Sequence, residues 1–145
     1  MQEEPYPFTL SRQEFRYEFV SVSERKKIIK IVLFTRTRTE NTYNLALFDV
    51  QEDGSISDSA ESNNNDLRCV LATVIRIIEH FLTTRPESLV IFRGSDLRRQ
   101  RLYRIVISRE LPEILKKFEV YGSVRRKTVL FRPDTAYDFY IIQKL

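Results

Sequence analysis

Tryptophan is missing from this 145-residue chain, and cysteine and histidine occur once each. The single cysteine, Cys69, excludes an internal disulfide framework and a cysteine-based zinc site. The first ten residues, MQEEPYPFTL, show neither a basic start nor an apolar run of signal-peptide length. No segment approaches the roughly 18 apolar residues that a membrane span needs. These absences lead us to expect a soluble, cytoplasmic chain with no membrane partner. A strong charge of one sign is also lacking. Lysine and arginine number 24 against 20 acidic residues, a net +4, much less than a protein that wraps DNA would carry. The distribution tells more than the sum, because many basic residues fall in Arg25 to Lys30, Arg93 to Arg104 and Arg125 to Lys127.

What is present suits one globular domain over residues 1–145, with residues 1–12 as an extended lead-in. The hydrophobic content is 42%, and 10 Phe and 7 Tyr supply aromatic packing from rings of one size. From Phe15 the pattern alternates, with Phe15, Tyr17 and Phe19 on one side and Arg16 and Glu18 on the other, which predicts a half-buried strand. Residues 27–39 predict a second strand whose centre, IIKIVLF, is apolar on both faces and so belongs inside a sheet. TYNLALFDV, after a turn at Glu40 and Asn41, completes an antiparallel meander of three. Residues 51–65 are rich in Gly, Ser, Asn and acid and predict the least structured stretch.

A long helix is expected over 66–84, with Leu67, Val70, Leu71, Val74, Ile75, Ile77, Ile78, Phe81 and Leu82 on one wide face. Asn64, Asn65 or Asp66 can cap its start, and Pro86 closes its exit. SLVIF at 88–92 then reads as a short buried strand. RLYRIVI suits a strand by β-branching. As a helix over 95–108, however, it gathers Leu102, Tyr103, Val106 and Ile107 on one face, with Arg98, Arg101 and Arg104 opposite. Helix is our choice, capped by Ser95 or Asp96. Pro112 would open another short helix, PEILKKF, and SVRRKTVLFR and AYDFYIIQK would be two closing strands. The expected fold is α+β, with about six mainly antiparallel strands and one long and two shorter helices on one face.

YNLALFD at 43–49, NNND at 63–66, VLATVI at 70–75 and GSDLRRQRLY at 94–103 carry a resemblance. The chain resembles, over nearly its whole length and in the same block order, an uncharacterised bacterial domain-of-unknown-function family, chiefly from Bacteroidota. It departs from that pattern at Asn65 and Asp96, where the family has Gly and Thr, leaving no bare amide or hydroxyl there. The resemblance supports an intact fold and implies no established activity.

Candidate chemistries are few. Asp49, Gln51, Asp53, Gly54 and Ile56 imitate the start of a calcium loop, but Ala60 stands where the bidentate Glu should be. His80 falls on the outer helix face with no Ser or Cys spaced as a nucleophile, and Cys69 lies too far along the axis to touch it. Asp49, Asp58, Asp66 and Asp96 meet at a metal only if the fold brings them together, which leaves a metal-dependent nuclease as a minor alternative. We therefore assign no catalytic residue, no metal ligand and no cofactor, and expect a binding module rather than an enzyme.

The best signal is the arginine helix. If TYNLALFDV and SLVIF are parallel strands joined through the long helix, both helix starts emerge from one sheet edge, where unpaired amides suit phosphate. Asn63, Asn64, Asn65, Gly94, Ser95, Arg98, Arg101 and Tyr103 then form the expected anion or ligand site, since guanidinium binds phosphate in bidentate geometry. The bland alternative is a solvated arginine face paired with the acidic loop, and TRTRT and RRK as charged strand edges that discourage aggregation. Nucleic acid or another phosphate-bearing ligand is the first expected partner. The alternative is a protein-interaction module, such as an antitoxin-like or defence-associated partner, or a homo-oligomer.

Overall fold

The computed structural model describes residues 4–10, 15–22, 27–57 and 67–145. The first half is a meander: β1 (Phe8–Leu10), β2 (Arg16–Val22), β3 (Lys27–Arg36) and β4 (Thr42–Val50), each antiparallel to the next. Alternation drives β2, where Tyr17, Phe19 and Ser21 are buried and their neighbours are not. β3 stops at Arg36, short of the expected Thr39. Thr37 turns instead to bond Thr42 through both its amide and its hydroxyl, and Asn41 adopts φ 57° in the turn. Short polar side chains tolerate that left-handed backbone.

After the two-residue β5 (Ile56–Ser57) comes α1 (Leu67–Thr84). Its wide apolar face is the one expected: Val70, Leu71, Val74, Ile77, Ile78, Phe81 and Leu82 are all buried. At its exit Arg85 lies over the rings of Phe15 and Phe81, at 4.7 and 5.0 Å. β6 (Leu89–Phe92) follows and lies parallel to β4, with Leu45 opposite Phe92.

α2 (Leu97–Ile114) settles the ambiguous stretch as helix, with Tyr103, Val106 and Ile107 buried. It also corrects the expected third helix. Pro112 lies inside α2, because Leu111 and Ile114 prolong the same apolar face and stay buried. That burial outweighs the missing amide of proline, only two residues before the helix end. β7 (Phe118–Val124), β8 (Lys127–Leu130) and β9 (Phe139–Lys144) finish the chain. SVRRKTVLFR is therefore a hairpin rather than one strand. Arg125 and Arg126, at φ 51° and 66°, form its two-residue turn, so RRK is mostly turn and not strand edge.

The described strands, nine against the expected six, form one mixed sheet in the order β1-β2-β3-β4-β6-β9-β7-β8, with β5 beside β4. Among the described strands only β4 and β6 are parallel, and the class is α+β as expected. Both helices cover one face. Phe81 stacks on Phe34 from α1, Tyr103 stacks on Phe92 from α2, and Val74, Val106 and Ile142 meet between them. Truncating Phe81, fully buried at 0% exposure, should cost about 3–5 kcal/mol. The loss of urea midpoint in Phe81→Ala measures this; a change near zero would contradict the α1 register.

Candidate ligand cleft

The one parallel pairing creates a gap. β6 ends at Phe92 opposite Leu45, while β5 joins β4 only at Asp49 and Val50. Between them, the β4 backbone from Ala46 to Phe48 has no strand partner on that side among the described residues. A cleft of about 530 Å³ lies there, lined by Asn44–Leu47 of β4, Arg93–Leu97 of the β6–α2 turn, and Gln100, Tyr103 and Asp138. That is small-ligand size. It also lies beyond the carboxyl end of a parallel strand, where open α/β sheets commonly bind ligands.

Gly94 lets the turn fold back onto α2. Its amide donates to Gln100 Oε1 at 2.7 Å, and a Cβ on it would meet the Gln100 backbone nitrogen at 2.4 Å. Gln100 Nε2 donates in turn to the Tyr137 carbonyl at 3.0 Å, and the Tyr140 hydroxyl donates to the Gln100 carbonyl at 3.1 Å. One glutamine therefore fastens the turn, the helix and the lead into β9.

The start of α2 carries its own anion. Asp96 is the N-cap: Oδ1 accepts from the Arg99 amide at 2.8 Å and Oδ2 pairs with the Arg99 guanidinium at 2.6 Å. The hydrogen bond from the Arg99 amide is the main reason this carboxyl lies below its ordinary range. An incoming phosphate cannot use that amide. A ligand must instead be held by the turn, the bare strand edge and the side chains of the walls.

Tyr103 is the most distinctive of those side chains. It is 6% exposed and stacks on Phe92 with centroids 5.0 Å apart. Burial pushes its phenol up to about 12, Asp49 and Asp96 push the same way, and Arg99 opposes them. The hydroxyl has no hydrogen-bond partner among the described residues, so it stays protonated and ready to donate.

Of the expected site residues, Gly94, Ser95 and Tyr103 line the cleft; Arg98 and Arg101 are exposed on α2 outside its lining. Asn63, Asn64 and Asn65 lie outside the described residues, as do Asp58 and Asp66. The first turn of α1 does not meet the first turn of α2. Arg68 pairs with Glu110, about 20 Å along the α2 axis from its start by the helical rise.

Sequence reading missed three features. The Lys30–Asp49 pair, 2.6 Å apart and buried between β3 and β4, was signalled by one charge inside each of two apolar strands. Gln100 gave no signal beyond its place one turn after Asp96. His80 is exposed as expected, yet its Nδ1 stands 2.6 Å from the Tyr17 hydroxyl, with Phe8 edge-on at 6.4 Å. It therefore joins α1 to the sheet instead of standing alone. No group of three or more His, Cys, Asp or Glu able to hold a metal occurs among the described residues. Nor is any described helix long and apolar enough to cross a membrane.

A family model matches residues 2–145. The chain belongs to DUF6934, a family of unknown function. No curated protein and no solved structure matches this DUF6934 chain. The cleft is thus to be judged by its own chemistry.

Two outcomes follow from these contacts. Gly94→Ala should destabilise by about 1–3 kcal/mol, because the methyl group meets backbone rather than a movable side chain; urea melts measure it. Tyr17, Tyr103 and Tyr140 are each pushed up to about 12, chiefly by burial. A phenol whose folded value exceeds its unfolded 10.0 adds stability below that value and loses it as pH rises through about 12. The urea midpoint should therefore fall over that window, and fall less steeply in Tyr103→Phe.

Proposed function

We propose that this chain is a non-enzymatic binding module of the bacterial cytoplasm, whose cleft holds a phosphate-bearing ligand of nucleotide size. The observation that carries this reading is the protonated, unpartnered Tyr103 hydroxyl in a cleft whose rim holds Arg93 and Ser95. Phosphate accepts hydrogen bonds without donating, so a phenol donor, a serine hydroxyl and a guanidinium form a matched set. The Asp96 carboxylate on the cleft wall is already engaged by Arg99, and Asp138 Oδ2 accepts from the Arg125 amide. These bonds reduce the repulsion that two acids would exert on an anion. The strand edge from Ala46 to Phe48 adds backbone groups that suit a base or another amide-like moiety.

Arg98 and Arg101, exposed one turn inside α2, extend the positive surface away from the cleft. A short single-stranded oligonucleotide would lie along them, with one nucleotide seated in the cleft. Association should then weaken as salt rises, because each neutralised phosphate releases counterions. A metal-dependent nuclease is disfavoured. Of the carboxylates weighed for it, Asp49 is paired with Lys30 and Asp96 with Arg99, and catalysis would need groups that converge on a metal.

Titration calorimetry with a mononucleotide and a short oligonucleotide tests the reading at two salt concentrations. Tyr103→Phe should weaken both ligands by about 0.5–1.5 kcal/mol, the worth of one hydrogen bond, with little loss of stability. Arg98→Ala with Arg101→Ala should weaken only the oligonucleotide and flatten its salt dependence. Equal affinity of the parent and Tyr103→Phe for the mononucleotide would sink the assignment of this cleft.

A further inference from the structure

The sheet ends at β8, and that end is open. All four β8 residues are exposed, Val129 at 43% and Leu130 at 67%. The hairpin shows which backbone groups face outward. Arg125 and Arg126 form its two-residue turn, so Val124 and Lys127 close the ladder as a hydrogen-bonded pair. Alternation then turns Lys127 and Val129 toward β7, and Phe131 continues the series by donating its amide to the Val120 carbonyl at 3.0 Å. Thr128 and Leu130 point the other way. The Leu130 carbonyl accepts from the Tyr137 hydroxyl at 3.5 Å. The Thr128 amide and carbonyl and the Leu130 amide are left without a partner among the described residues. Beside them stand three consecutive cations. Arg125, Arg126 and Lys127 are exposed, and none joins an ion pair among the described residues. Asp138 accepts from the Arg125 amide at 3.3 Å, not from its guanidinium.

We infer that β8 is a docking edge for an extended acidic peptide of another protein, which adds to the sheet as an antiparallel strand. Strand addition takes affinity from main-chain bonds and specificity from the side chains that alternate along it. The register defines the ligand. A peptide residue opposite Thr128 exchanges both backbone bonds with it. The two residues before it then face Val129 and Leu130, and the two after it face Lys127 and Arg126. The matching order, from N to C terminus, is two apolar residues, one small polar residue and two acids. Charge selects this occupant. A second copy of the chain would bring its own three cations to the same edge, and lysine on an edge strand discourages such self-pairing. Nucleic acid would satisfy the cations, but the β8 side chains are aliphatic or polar and give bases no aromatic face to stack on. The ligand cleft is a separate matter, because β4 lies four strands from β8 in the sheet.

Fluorescence anisotropy tests the edge, using the full chain without nucleotide and a labelled peptide of about ten residues with Val-Val-Thr-Glu-Glu at its centre. Binding should saturate with a Kd of about 100 µM or tighter and weaken as salt rises. N-methylation of the peptide's threonine amide should weaken binding at least about tenfold. Thr128→Pro should do the same, since it removes an outward amide and no bond to β7. Lys127→Glu with Arg126→Asp should reject this peptide and take up its counterpart with lysines for glutamates. Aspartate suits the left-handed backbone at Arg126. Circular dichroism should show both variants folded; should either fail, the N-methylated peptide decides the matter on the parent chain. Undiminished binding of that peptide would overturn the proposal. So would an edge that ignores the parent peptide up to about 1 mM, takes up a short oligonucleotide in its place, or pairs two copies of the chain in a dimer that Thr128→Pro abolishes.

Discussion

The aromatic contact of Phe81 with the sheet is the constraint on which the remaining architecture depends. Its ring lies flat on Phe34, centroids 4.0 Å apart and 5° from parallel, with Tyr43 edge-on at 5.0 Å and Phe15 at 6.0 Å. Phe34 and Tyr43 belong to β3 and β4, so one residue near the end of α1 clamps the helix across the meander. From that point only six residues separate Phe81 from Ser88, too few for the chain to do anything but re-enter the sheet. It re-enters beside β4, and Leu89 bonds Asn41 as it arrives. The parallel pairing of β4 and β6 thus follows from where α1 is pinned. The cleft follows from the pairing, because β6 is short and β4 is long.

A second consequence concerns polarity inside the core. Lys30 and Asp49 face the helix side of the sheet, in register with each other, at 5% and 8% exposure. Burying such a pair rarely adds net stability over an apolar pair of equal volume, whereas stripping one partner leaves a buried charge. Its effect is on register. Slipping β3 by one residue against β4 would put the ammonium beside Phe48 or Val50 and leave both charges unpaired. Arg68 and Glu110 act similarly between the two helices, where Glu110 is buried. These two ion pairs fix which residues face each other in an interior otherwise built of interchangeable aliphatic groups.

Much of this was legible in the sequence. The meander, the α1 face and the β4 boundaries follow from periodicity, which burial enforces residue by residue, and the parallel β4–β6 pair agrees with the crossover considered for it. The helical reading of RLYRIVI succeeded because Tyr103, Val106 and Ile107 recur at helical spacing, although β-branching favoured a strand. Two boundaries failed for opposite reasons: one breaker was given too much weight, and one turn carried no breaker at all. Pro112 was read as a helix start, but the apolar row through Leu111 and Ile114 carried α2 past it. Arg125–Arg126 was read as strand, because nothing in two arginines signals a positive φ. The cleft was half legible. Gly94, Ser95 and Tyr103 do share a cleft, but its other wall depends on the strand order, which no local pattern encodes.

The capping of α2 shows how a helix start is satisfied from within the chain. A helix start attracts anions through unpaired amides, and a chain can satisfy that demand internally. Here Asp96 does so and draws Arg99 with it, so one arginine of the cluster completes a cap before any ligand arrives. Tyr103, by contrast, has no such internal partner. It is held by stacking on Phe92, shielded by burial and left with a hydroxyl that no described group satisfies. Because Tyr103 lines the cleft, a ligand oxygen entering there can accept a hydrogen bond from that hydroxyl. Charged side chains on a surface, in turn, are satisfied by water at little cost. Hydrogen-bonding capacity in the cleft thus lies in a neutral phenol as well as in the charges around it.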